Sequence, residues 1–325
     1  MMATGERADE CGQLYEGVSL SFQEINRANV SSLRCMASVR FGWISQLCWS
    51  PGGDKLALGG GDGIAIYVRG FGGAPTLRLR AQAGPVKDIA FSPDGKLLAA
   101  GSADMTIALY RLAGARASLA QTLRGHSGSV EALAFSPDGS VLASAGADKA
   151  IRLWSVGAGE QSQALSGHTD EVTSLCFAYD SRRLYSAGRD GMIRGWDTEA
   201  RIAPEVIGRH DDWIRRIVLR PGHAALASAS RDMMICLWSL GEGAGPQSWL
   251  AHPDGVDALA FSPDGALLAS GGRDHAVRIW DVESTRALTV LSAHRRPVLA
   301  LEFNPAGTML ASGAGDNQVM VWAVA

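Results

Sequence analysis

No apolar run in this chain approaches the roughly 20 residues that a helix needs to cross a bilayer. The start, Met1 to Glu10, is polar, carries Glu6, Asp9 and Glu10, and lacks the apolar stretch of a secretory signal. These absences predict a chain without a membrane span. An excess of positive charge is missing too: 30 basic and 33 acidic residues leave a net charge of −3. Most nucleic-acid binders carry a clear basic excess. Cysteine is scarce, with only Cys11, Cys35, Cys48, Cys176 and Cys236, irregularly spaced and without a Cys-x-x-Cys pair. This pattern offers neither a disulfide framework nor a zinc knuckle. It predicts reduced thiols acting as small core hydrophobes in a cytoplasmic protein. Nucleophile-elbow, phosphate-loop and zinc-protease motifs are absent, so no motif implies a cofactor, a metal or a catalytic residue. Asn29-Val30-Ser31 fits a glycosylation sequon, but no secretory context accompanies it.

The chain does have an internal repeat. Asp62, Asp104, Asp148, Asp190, Asp232, Asp274 and Asp316 are separated by 42, 44, 42, 42, 42 and 42 residues. An aromatic follows each one, giving Tyr67, Tyr110, Trp154, Trp196, Trp238, Trp280 and Trp322. His126, His168, His210, His252 and His294 keep the same step. A length of 325 residues would otherwise suggest about two domains. A period near 42 instead matches one closed ring of propeller blades.

Each unit reads as four short strands. In residues 121–156, Val130 to Phe135 ends at Ser136-Pro137-Asp138-Gly139, where proline presets φ and glycine accepts positive φ. Val141 to Ala145 is small and apolar, Gly146-Ala147-Asp148-Lys149 turns again, and Ile151 to Trp154 follows. No helical period appears in any unit. The prediction is an all-β chain of antiparallel meanders.

These residues resemble the WD-repeat β-propeller family, over about residues 31–325. Gly125-His126 and Gly167-His168 carry its Gly-His signature, and Trp196-Asp197 and Trp280-Asp281 its Trp-Asp dipeptide. The resemblance implies seven four-stranded antiparallel blades, with residues 1–30 as a tail and lead-in. The stretch Ile25 to Leu33 is similar to lead-ins of free-standing bacterial members. The chain ends after a third strand, so the N-terminal strand is expected to complete the last blade and remove an exposed edge.

The resemblance also implies a hydrogen-bond network in each strong blade. The sets are Asp148, His126, Ser144 and Trp154; Asp190, His168, Ser186 and Trp196; and Asp232, His210, Ser228 and Trp238. Asp274, His252, Ser270 and Trp280 form the next, and Asp316, His294, Ser312 and Trp322 the last. The first two units depart from this, with Arg40, Leu58 and Tyr67 in one and Gln82, Ala100 and Tyr110 in the other. They are expected to form blades without the full network.

In the family, the residue before each key aspartate lies on the top face, where partners dock. Here the series is Gly61, Ala103, Ala147, Arg189, Arg231, Arg273 and Gly315, with Arg295 nearby. Trp43 and Trp213 sit three residues past the histidine position and are expected on the same face. Glu171 and Asp211 are placed to neutralise some of these arginines. The implied role is a non-enzymatic, monomeric scaffold that binds other proteins through acidic or phosphorylated segments. Two alternatives remain. An enzyme would need carboxylates or a metal at the channel mouth, where mainly Ala, Gly, Ser and Arg are expected. Nucleic-acid binding through the arginines would show a steep salt dependence.

Overall fold

The computed structural model describes residues 22–71, 73–80, 82–158, 160–200, 202–241 and 245–324. Its strands form seven four-stranded antiparallel sheets. In blades 1 to 6 the strands follow chain order from the channel outward. The seven inner strands are Ile44–Trp49, Val86–Phe91, Val130–Phe135, Val172–Phe177, Ile214–Leu219, Val256–Phe261 and Val298–Phe303. Each packs on the next, and the seventh returns to the first, which closes a ring around a central channel.

Turn chemistry sets the blade period. Gly139 has φ +74°, and its N–H bonds the Ser136 carbonyl at 2.8 Å. The Ser136 hydroxyl donates to Asp138 at 2.6 Å and accepts the Val141 N–H at 3.0 Å. Ser92-Pro93-Asp94-Gly95 and Ser262-Pro263-Asp264-Gly265 repeat this geometry. The second strands are small because the next blade lies against them. A Cβ on Gly101 would fall 2.8 Å from Val130 Cγ1, and one on Gly271 would fall 2.6 Å from Val298 Cγ1.

Blade 7 supplies three strands, and Arg34–Arg40 pairs with its third, from Arg34 opposite Ala323 to Arg40 opposite Gln318. The chain thus closes by its N-terminal strand. The lead-in is anchored as well: Ile25, Val30 and Leu33 are buried in the apolar cluster of blades 6 and 7, and Gln23 bridges Val324.

One expectation about cysteine fails. Cys48 and Cys236 are buried reduced thiols and Cys176 a part-buried one, but Cys35 is disulfide-bonded. Cys35 lies in the half-exposed closing strand beside a register shift, where a thiol is not sealed in a core. Cys11 lies outside the described residues.

Candidate functional site: the channel mouth and its arginine–tryptophan stack

The five full blades share one network. The histidine Nδ1 lies 2.7–3.2 Å from the aspartate. Its Nε2 lies 2.6–2.8 Å from the serine hydroxyl. The tryptophan indole donates to that same hydroxyl at 2.7–2.9 Å. One proton arrangement satisfies all of these groups: Trp N–H to Ser, Ser O–H to His Nε2, and His Nδ1–H to Asp. The histidine is then neutral. Burial, working against Asp148, holds His126 below the ordinary histidine value. Burial opposes ionisation of Asp148, but His126 and the Ser127 and Ala150 N–H groups outweigh it and hold that carboxyl below its usual range. Each full blade contributes one histidine to its own network.

Blades 1 and 2 are built differently. Gln82 replaces the histidine, and its amide donates to the Ala100 and Thr106 carbonyls at 3.0 and 3.1 Å. Asp104 instead accepts from the Ala83 N–H and the Thr106 hydroxyl. Asp62 is exposed.

Each inner strand has a register shift after its first residue. Such a bulge re-aims the extra side chain. The seven bulged residues, Ser45, Lys87, Glu131, Thr173, Arg215, Asp257 and Leu299, all line one cavity of about 280 Å³ at the channel mouth. Trp43 and Arg189 line it too.

The expected docking residues do not all meet. Arg189 and Arg231 both stack on Trp213, with guanidinium carbons 4.4 and 4.8 Å from its ring centroid. Arg273 is adjacent, since a Cβ on Gly255 would lie 3.3 Å from Arg231 Cα and 3.6 Å from Arg273 Cδ. Trp43 is 44% exposed and carries Lys87 5.4 Å above its ring. Arg295 is exposed, and its N–H caps Asp316 at 2.9 Å; among the described residues only Arg189 and Arg231 stack on Trp213.

Local carboxylates neutralise much of the arc. Arg189 pairs with Glu171 at 3.0 Å. Asp257, whose side chain is 1% exposed, faces both Arg273 and Arg215 at 3.1 Å. Asp211 instead pairs with Arg209 at 3.9 Å. Arg231 has no carboxylate within 4.0 Å among the described residues. The expectation of mainly Ala, Gly, Ser and Arg around the channel is also corrected, because Asp88, Glu131 and Asp257 line its mouth and Glu302 lies deeper. The bulge turns the Glu131 and Asp257 side chains inward, and repeat spacing alone does not reveal that. The available signal was a charged residue second in an apolar inner strand.

Glu302 sits at the seam between blades 7 and 1, where its carboxylate accepts the Trp49 N–H at 2.7 Å. Burial, with help from Asp88, pushes its carboxyl up to about 7, against Trp49 and Arg216. An acid raised in the folded state binds its proton more tightly there. Stability therefore falls as pH rises from about 4.5 to about 7. Glu302→Gln keeps an acceptor for Trp49 and removes the titration. Relative to wild type, the variant should gain about 1–3 kcal/mol between pH 5 and pH 8 in urea unfolding. A stability difference that stays constant over that range would rule out the titration.

With this geometry established, the comparisons identify the class. The WD40 profile (WD domain, G-beta repeat) matches residues 73–111, 117–155, 159–197, 205–239, 246–281 and 285–323. The chain belongs to the WD40 repeat family. The six matched units leave out the departing first unit, which the structure nonetheless folds as a blade. No curated protein matches the chain. Among the described residues, no helix is long and apolar enough to cross a membrane.

Proposed function

We propose that this propeller is a non-enzymatic protein-interaction platform whose docking centre is the Arg189–Trp213–Arg231 stack; the mouth carboxylates that an enzyme would need are present, but Asp88, Glu131 and Asp257 are each engaged by partners within the ring. The observation that carries this reading is Arg231. Its guanidinium is held against an indole face and lacks a local carboxylate. Stacking holds the planar group in place and leaves its N–H edge free for bidentate contact with a carboxylate or phosphate. Arginine and tryptophan are the residue types that dominate binding hot spots. The partner is a peptide or domain presenting an acidic or phosphorylated segment. Arg273 and the exposed Trp43 flank the stack, and Arg295 is peripheral. The ring acts as a monomer.

The pairing of Arg189, Arg215 and Arg273 with carboxylates weighs against nucleic acid, because a neutralised arginine releases few phosphate counterions. Three reduced thiols go with a reducing compartment and the Cys35 disulfide goes against one, so the cysteines favour no location.

The test is an array of acidic, phosphorylated, neutral and basic peptides probed with wild type, Arg231→Glu, Trp213→Ala and Arg295→Glu. Acidic and phosphorylated peptides should bind wild type. Affinity should fall at least about tenfold for Arg231→Glu and Trp213→Ala, in line with a hot-spot loss above roughly 1.4 kcal/mol. Arg295→Glu should bind like wild type. If Arg231→Glu keeps its fold by circular dichroism and still retains the same peptides equally well, docking lies elsewhere.

A further inference from the structure

One register of the inner strands stitches neighbouring blades together. Small alanines fill it in three blades, and Gln46, Asp88, Ser174 and Arg216 occupy the other four. Gln46 donates to Asp88 at 3.0 Å. Asp88 also accepts the Leu133 N–H of the next blade at 2.7 Å, and Ser174 accepts the Ile217 N–H at 3.1 Å. Arg216 joins no such stitch. Among the described residues its guanidinium makes no hydrogen bond, and no carboxylate oxygen lies within 4.0 Å of it.

Arg216 stands at a waist of the channel. It lines both the mouth cavity and a second chamber of about 430 Å³ that reaches the opposite face, at the turns of Pro51, Pro263 and Pro305. That volume falls in the usual range for small-molecule sites. Apolar side chains, Trp49, Phe91 and Phe303 among them, share its surface about equally with polar groups, which include Gln46, Asp88, Arg216, Glu302 and Asn304. Both Asp88 oxygens are already occupied by donors. Glu302 lines the chamber as well, and among the described residues only its Oε2 accepts a hydrogen bond, from the Trp49 N–H. Arg216 is close enough to bear electrostatically on both Asp88 and Glu302. A cation and a carboxylate oxygen free of hydrogen bonds among the described residues thus share one chamber, open at the opposite face, without meeting.

We propose that this lower chamber binds a small zwitterion of amino-acid type, with its carboxylate on Arg216 and its ammonium on Glu302. A carboxylate matches the planar fork of an arginine. An ammonium supplies donors to an oxygen that has none. The apolar side chains suit the methylenes between the two charges. The site lies on the face opposite the arginine–tryptophan stack and is independent of it.

The full chain is titrated by calorimetry with glycine, γ-aminobutyrate and ε-aminocaproate, which space the two charges differently. Butyrate and butylamine serve as half-ligands. One amino acid should bind best, with each half-ligand at least about tenfold weaker. Arg216→Met should weaken that amino acid at least about tenfold, and Glu302→Gln should abolish its advantage over butyrate. The proposal is overturned if none of the three binds, if butyrate binds as tightly, or if Arg216→Met binds unchanged. Should Arg216→Met fail to fold, the near-isosteric Glu302→Gln decides: an unaltered preference for the zwitterion overturns the assignment.

Discussion

A chain that begins at Phe41 should unfold at a much lower temperature than the full chain, without its single cooperative transition. Removing Arg34–Arg40 strips blade 7 of its outer strand and exposes the ladder of Gln318–Ala323. An open edge strand invites pairing with other chains. The cut also removes Ile25, Val30 and Leu33, each no more than 3% exposed. Full burial of such side chains contributes roughly 1.5–3 kcal/mol each. The loss, about 5–9 kcal/mol, is comparable to the whole stability of many domains. Under reducing conditions, which remove the Cys35 disulfide from every chain compared, a chain that begins at Phe22 keeps the strand and the buried lead-in, and should melt close to the full chain. Calorimetry of the three proteins checks this. Equal melting of the Phe41 chain and the full chain would show that the strand does not close the ring.

Asp148→Ala should cost about 2–4 kcal/mol, whereas Asp62→Ala should change stability by less than about 0.5 kcal/mol. The two aspartates hold equivalent places in the repeat and differ in surroundings. Asp148 accepts from His126, the Ser127 and Ala150 N–H groups and Arg152. Truncation strands these donors, and a stranded buried donor costs roughly 1–3 kcal/mol. Asp62 is exposed and faces no histidine. The same network has a pH signature. Burial lowers the His126 pKa in the folded chain, so the unfolded chain takes up the proton first as pH falls below the ordinary value of 6.5. The network's stability is present above that value and is lost as pH falls through the folded one. Asp148 supports the protonated form of His126, so paired urea titrations of wild type and Asp148→Ala at pH 7.5 and pH 5.5 should show the mutational cost growing at the lower pH. Equal costs for Asp148→Ala and Asp62→Ala would deny the network its role.

The repeat was legible because everything that sets it is local to one unit. Ser136, Asp138 and Gly139 make their turn from their own side chains and backbone. Trp154, Ser144, His126 and Asp148 close their network with no bonded pair more than 22 residues apart. Blade number, the absence of the full network from the first two blades and the incomplete last blade therefore follow from phase. The channel was not legible in this way. Its pairs, such as Gln46 with Asp88 and Arg215 with Asp257, lie 42 residues apart and meet only once adjacent blades stand side by side. Strand alternation assigns a residue to one face, and a single bulged residue reverses that assignment. Hence Glu131 and Asp257 read as ordinary strand residues and open instead into the mouth. Arg231 and Arg273 are equivalent by phase, but the carboxylate beside Arg273 leaves Arg231 as the uncompensated member of the pair. The sequence determined which residues recur and how they fold each blade. Blade-to-blade packing decided pairs such as Arg215 with Asp257 and Gln46 with Asp88, because only the assembled ring brings side chains of neighbouring blades within hydrogen-bonding distance.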